Sequence, residues 1–177
     1  MLAPVSSAAG QTRTIIVVRH AEKDTIPHEN PPLNAGGRER AQALAQALRA
    51  AKVTAIVSTD QRRTLETAAP LAALLHLKPI TVPRGNESPE QQARATAQAV
   101  SQAPGDVILV VNHQSMLPDI VADLGGPKIP FVCDVEFSNM YILTLNGSKP
   151  AQLIQAHFGA PDPPAEPGCK MTPGSPP

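Results

Sequence analysis

Apolar residues fall along this chain in short β-branched runs, and between the runs Ala and Leu recur at helical spacing among Arg, Glu and Gln. That alternation is what strands feeding helices produce. The first run, TIIVV at residues 14–18, ends abruptly in Arg19-His20. Beyond a proline-bearing loop over residues 23–32, Asn34 is the expected N-cap of an amphipathic helix reaching about Ala51, with Leu44, Ala47, Leu48 and Ala51 along one face. Gly36-Gly37 weakens its first turn. Ala55-Ile56-Val57-Ser58 reads as a second buried strand, followed by the polar run Thr59-Asp60-Gln61-Arg62-Arg63 and a helix to about Leu75. Ile80-Thr81-Val82 is a short third strand stopped by Pro83 and Gly85, and Ser88 caps a polar helix to about Gln102. VILVV at residues 107–111 is the most apolar run, and it too ends in polar residues, Asn112-His113-Gln114-Ser115. A helix over residues 117–124 stops at Gly125-Gly126-Pro127, and residues 140–145 and 152–157 pair as a hairpin across Asn146-Gly147.

Strands alternating with helices and closing on a hairpin predict an α/β fold, a three-layer α/β/α sandwich with a mainly parallel sheet. A length of 177 residues fits one domain. That domain spans residues 14–159, behind a flexible segment of residues 1–13 that is small and polar. The opening has no apolar signal-peptide core; its Ala-Ser-rich character also suits the residue of a trimmed leader, so the chain is expected to be exported to the periplasm in that case and cytoplasmic otherwise. After Gly159 the sequence becomes APDPPAEPGCKMTPGSPP, a Pro-rich tail suited neither to sheet nor to helix and read as disordered or polyproline-like.

Composition narrows the partners. Lys plus Arg equals Asp plus Glu at 15 each, so no overall basic field argues for nucleic acid or an anionic membrane, and any positive site must be local. Trp is absent and aromatic content is 2%, which leaves no stacking platforms for bases. No run is long and apolar enough for a membrane span. Cys133 and Cys169 are too few and too far apart for a zinc site, although one bridge between them is open. No metal and no cofactor is expected.

Three buried strands thus end in polar clusters, at the strand ends where open α/β sheets bind ligands. Arg19 offers a fork of donors with permanent charge suited to phosphate, and His20 beside it can serve as nucleophile, base or ligand. Taken singly, His113 reads as a core histidine and Arg63 as a helix-surface charge; the conjunction is what is specific. RHAEK at residues 19–23, TDQRRTLETA at residues 59–68 and VVNHQSMLPDIV at residues 110–121 together resemble the histidine phosphatase superfamily, the phosphoglycerate-mutase-like fold, in a small single-domain form. The resemblance covers essentially the whole globular part. It departs from the commoner pattern at Ala21 and Asn112, where Gly is usual.

The resemblance implies a metal-independent phosphatase hydrolysing phosphomonoesters through a phosphohistidine on His20. Arg19, Arg63 and His113 would bind the phosphoryl group, His113 best as a charged donor, and Asn112 would either crowd the pocket or add a donor. Glu87 stands in the region of the family's general acid, where it could equally be a charge favoured by the helix dipole; Glu22 is its rival, unless it pairs with Lys23 or an arginine. Expected partners are a phosphorylated small molecule or a phosphoprotein. Two other readings remain: a protein phosphohistidine phosphatase, resembling the small bacterial enzyme of phosphorelays, and a non-catalytic phosphate- or phosphoprotein-binding module.

Overall fold

The computed structural model describes residues 12–147, 150–164 and 169. Six strands form one sheet: β1 (Thr12–Arg19), β2 (Ala55–Thr59), β3 (Ile80–Val82), β4 (Val107–Asn112), β5 (Asn139–Asn146) and β6 (Gln152–His157), ordered β3-β2-β4-β1-β5-β6. The first four are mutually parallel, and β5 and β6 add an antiparallel edge. The helices are α1 (Ala35–Leu48), α2 (Arg62–Leu75), α3 (Pro89–Gln102) and α4 (Leu117–Asp123), the last preceded by a 3-10 turn at Gln114–Met116.

Period-2 alternation sorts the core into two halves. Ile15, Val17, Val57, Ile108 and Val110 face α3 and α4, packing with Val100, Leu117 and Ile120. Ile16, Val18, Ile56, Leu109 and Val111 face α1 and α2, packing with Leu44, Leu48, Ala68 and Leu71. Both faces of the sheet are covered, which is why its inner strands read as continuous apolar runs. The expected three layers are present.

Local chemistry set most boundaries. The Asn34 side chain accepts from Gly37 N at the start of α1, and Ser88 with Gln91 forms a capping box on α3. His76 closes α2 in the left-handed region, φ 55°, which accounts for this histidine without chemistry. Pro70 lies inside α2. Gly37 is required by packing, since a Cβ there would collide with the backbone carbonyl of Glu22. That glycine lets α1 lie directly against the segment carrying His20.

Two expectations shift. β1 starts at Thr12 rather than at residue 14, because Thr12 and Arg13 pair with Asn146 and Leu145 and the Arg13 guanidinium donates to the carbonyls of Val100, Ser101, Ala103 and Gly105. The rest of the expected flexible segment, residues 1–11, lies outside the described residues. The Pro-rich tail begins as an anchored strap: the Asp162 carboxylate accepts from Phe137 N, Ser138 N and Ser138 Oγ, and Cys169 is disulfide-bonded to Cys133. Residues 165–168 and 170–177 of that tail lie outside the described residues.

Arg40 ties this strap to the first strand's end. Buried to 5% exposure, it donates from Nε and Nη2 to the Glu22 carboxylate, the Nη2 contact at 2.7 Å, and from Nη1 to the carbonyls of Phe158 and Ala160 at 3.1 and 2.8 Å. Removing the guanidinium leaves those acceptors unmatched. Breaking a buried ion pair from one side costs about 3–5 kcal/mol, and the partial exposure of Glu22 puts Arg40→Met at the lower end of that range. Urea unfolding of the variant should read this loss; an unchanged midpoint would refute the role.

Candidate functional site

The sheet's connections decide where a site can form. β4 leads into α4 on one face, whereas its parallel neighbours β1 and β2 lead into α1 and α2 on the other. Chains leaving in opposite directions open a crevice beyond the carboxyl ends of these strands, the switch point at which α/β sheets bind ligands. Arg19 ends β1 in register with Asn112 of β4, and His20 N donates to Asn112 O at 2.8 Å. His20 and His113 therefore emerge side by side, with ring centroids 5.2 Å apart at an interplanar angle of 66°.

Both imidazoles are buried, but their hydrogen bonds differ. His20 Nδ1 lies 2.8 Å from the carbonyl of Ala21. A carbonyl only accepts, so Nδ1 carries the hydrogen and Nε2 keeps its lone pair. Burial, then the charge of Arg19, holds the pKa of His20 well below 6.5, with Arg63 and Lys23 acting the same way. The ring is therefore neutral at neutral pH, with Nε2 unprotonated.

His113 Nε2 lies 3.1 Å from Thr59 Oγ1, which is 2.8 Å from Thr64 Oγ1; that hydroxyl in turn reaches the carbonyl of Gln61 at 2.7 Å. With Thr64 donating to the carbonyl and Thr59 to Thr64, His113 Nε2 must be the donor to Thr59. Its buried Nδ1 has no partner among the described residues. Burial, then His20, Arg63, Arg84 and Arg19, pushes its pKa well below 6.5. The expected charged donor is thus neutral in the free pocket, and Nδ1 can donate only after taking up a proton.

The two arginines are held by one edge each. Arg19 Nη1 donates to the carbonyls of Cys133, Asp134 and Glu136, its guanidinium carbon sits 3.8 Å from the Phe137 ring centroid, and its buried Nε is unpartnered. Arg63, in the first turn of α2, reaches Gln61 Oε1 at 3.4 Å and likewise leaves Nε unpartnered. Burial lowers each guanidinium pKa to about 10, so both keep their charge. Thr67 Oγ1 accepts from Ala21 N and donates to Arg63 O, joining β1's end to α2. Two guanidiniums and two imidazoles with unused nitrogens are equipped to surround a tetrahedral oxyanion.

The remaining expected residues stand apart from this use. Asn112 is buried, its Nδ2 donating to Thr96 Oγ1 and its Oδ1 accepting from His113 N, so its amide is committed within the fold. Glu87 is exposed and accepts from Gln92 Nε2 at 2.9 Å; its own backbone N–H and then Gln92 hold its carboxyl below the usual value. Glu22 is bound to Arg40. Gln114 donates to Asp134.

The sequence reading passed over Arg84, two residues beyond β3, and the loop of residues 133–137. Arg84 follows the same rule of a polar residue at a strand's end and was findable. The loop acts through main-chain carbonyls, which leave no mark on residue identity. Among the described residues there is no group of three metal-ligating side chains and no helix long and apolar enough to cross a membrane.

No curated protein matches the chain in sequence. Among solved structures, the chain is similar to a mycobacterial glucosyl-3-phosphoglycerate phosphatase in complex with VO3, at 17% identity and a TM-score of 0.63 over 84% of this chain and 100% of that one. It is similar to the protein histidine phosphatase SixA complexed with tungstate, at 18% identity and a TM-score of 0.63 over 81% and 96%. YhfR of Bacillus stearothermophilus aligns at 18% identity and a TM-score of 0.59 over 83% and 94%. The family model for the histidine phosphatase superfamily (branch 1) matches residues 15–88. That match runs from β1 to the cap of α3, and the solved structures share the fold along most of the chain, so this part of the chain is similar to the histidine phosphatase superfamily within a common fold.

Proposed function

We propose that the protein is a metal-independent phosphatase that hydrolyses phosphomonoesters through a phosphohistidine on His20. The observation that carries this reading is the Nδ1 contact of His20 with the Ala21 carbonyl, which leaves Nε2 as an unprotonated nucleophile amid positive charge. Nε2 attacks phosphorus in line, the P–O ester bond breaks and the leaving oxygen takes a proton. Water then attacks phosphorus, the P–N bond breaks, and phosphate leaves with the imidazole restored. Arg19 and Arg63 offset the roughly two negative charges of the monoester. Their charges are aimed before the reaction starts, which is the main source of rate in phosphoryl transfer.

His113 joins them by charging on demand. A dianion beside Nδ1 supplies the opposite charge that the free pocket lacks and raises the pKa again. Tungstate, which stays a dianion near neutrality, should therefore bind with uptake of about one proton, seen as a dependence of the binding enthalpy on the ionisation enthalpy of the buffer. His113→Gln should bind more weakly and lose that dependence. Buffer-independent heats in the unaltered protein would refute this role.

His20→Ala should remain folded, lose essentially all turnover and take up no label from a phosphoryl donor. An unaltered protein that binds tungstate yet never becomes labelled would instead be the phosphate-binding module.

A second reading, a protein phosphohistidine phosphatase, is favoured by one observation: both candidate acids are engaged by other side chains. Glu87 is exposed and hydrogen-bonded, and Glu22 is paired with Arg40. Phosphoramidate nitrogen is readily protonated and needs less help. If Glu87 is the acid, Glu87→Gln should slow an alkyl phosphate on the order of a hundredfold and hardly change p-nitrophenyl phosphate, with Glu22→Gln mild. The reverse pattern would assign Glu22. Small equal effects, with phosphohistidine still cleaved well, would select the second reading.

A further inference from the structure

The phosphoryl pocket accounts for Arg19 and Arg63 but not for Arg84. This residue follows Pro83 at the end of β3, whose Val82 is in register with Thr59 of β2, so its backbone rises beside the residue that holds His113. The Asp60 carboxylate fixes that position by accepting from Arg84 N at 3.1 Å through Oδ1, which also receives Gln61 Nε2 at 3.3 Å. The side chain lies between exposed and buried, and its Nη1 is buried with no hydrogen-bond partner. A buried guanidinium N–H without an acceptor is unfavourable, and it is costlier beside other cations.

Arg84 and those cations act on one another's charge. Arg84 is the neighbouring charge that lowers the pKa of Arg63, and it acts on His113 as well. Arg84 itself is lowered by burial and supported by Asp60. Arg19 and Arg63 already match the charge of one phosphoryl dianion. A further guanidinium at the end of β3 is therefore in excess for a simple monoester and suited to an anionic group elsewhere on the substrate, where its planar fork can bind carboxylate or phosphate oxygens.

We propose that Arg84 binds a second anionic group of the substrate, so that the pocket selects phosphomonoesters that also carry a carboxylate or a second phosphate. This rests on the phosphoryl-binding reading above and names the substrate class for the same site. The second group stays intact. It orients the ester for attack and sets which phosphomonoesters bind productively.

Phosphonates test this without turnover, because their P–C bond is not broken. Calorimetry on the full chain would compare alkylphosphonates with carboxyalkylphosphonates and alkane bisphosphonates of one to three methylenes, in the unaltered protein, Arg84→Gln, Arg84→Lys and Lys23→Gln. A second charge at the fitting chain length should tighten binding about tenfold or more. Arg84→Gln should bring charged and uncharged ligands level, Arg84→Lys should keep part of the gap, and Lys23→Gln should leave the gap in place. The better of carboxylate and bisphosphonate identifies the second group. Equal binding of all three classes by the unaltered protein overturns the proposal alone, whereas binding of none overturns the phosphoryl pocket with it. An equal loss for charged and uncharged ligands in Arg84→Gln, or transfer of the gap's loss to Lys23→Gln, also overturns it. Should Arg84→Gln unfold, the unaltered protein and Arg84→Lys decide: a gap that narrows in Arg84→Lys supports the proposal, and one that does not overturns it.

Discussion

Parallel pairing of β1 with β4 sets Arg19 beside Asn112, and one hydrogen bond, from His20 N to Asn112 O, extends that register past the ends of both strands. Every distance between the two histidines follows from it. A one-residue slip would exchange the two faces of β1, sending Ile15 and Val17 toward α1 and α2 and turning the alternate set away from them. The register is thus fixed by apolar packing along the whole strand. The site uses, at the strand ends, an alignment that the core enforces.

Gathering positive charge at that place works against folding, and the neighbourhood shows how it is contained. Arg19 is braced by three carbonyls and the face of Phe137, which leaves its charge pointed but not mobile. The loop supplying those carbonyls is fastened twice, through Asp162 and through the Cys133–Cys169 bridge. The imidazoles add no charge, because burial and the neighbouring guanidiniums hold the pKa of each well below 6.5. Glu22, the carboxylate nearest in sequence to His20, is drawn aside by Arg40, so it does not pair with Arg19 or Arg63.

Much of this was legible in the sequence. Strands at residues 80–82 and 152–157 and the caps Asn34 and Ser88 were read directly, because alternation and capping are local signals. The three polar clusters were found by the same logic, each being a break in an apolar run. What escaped was not local. Thr12 and Arg13 look like loop residues until Asn146 and Leu145 arrive from the far end of the chain. Asn112 reads as a pocket donor until Thr96 of α3 claims its amide. Arg40 reads as a charge on an amphipathic helix, yet it is buried because Glu22, Phe158 and Ala160 converge on it. The tail reads as unstructured from its prolines alone, and Asp162 and Cys169, which fasten it, carry little statistical weight among them.

The Ala21 carbonyl has a consequence for how such a site can vary. The hydrogen bond that fixes the His20 tautomer belongs to the main chain, so every residue type supplies it equally well. Position 21 is then free to be judged on size alone, and the methyl group of Ala21 fits a small cluster with Leu33 and Ala41. Selection on that residue acts through the volume it fills and cannot act through the chemistry it performs. A comparison of side chains would rank it among the packing residues, although an atom of its backbone decides which nitrogen of the neighbouring histidine is available.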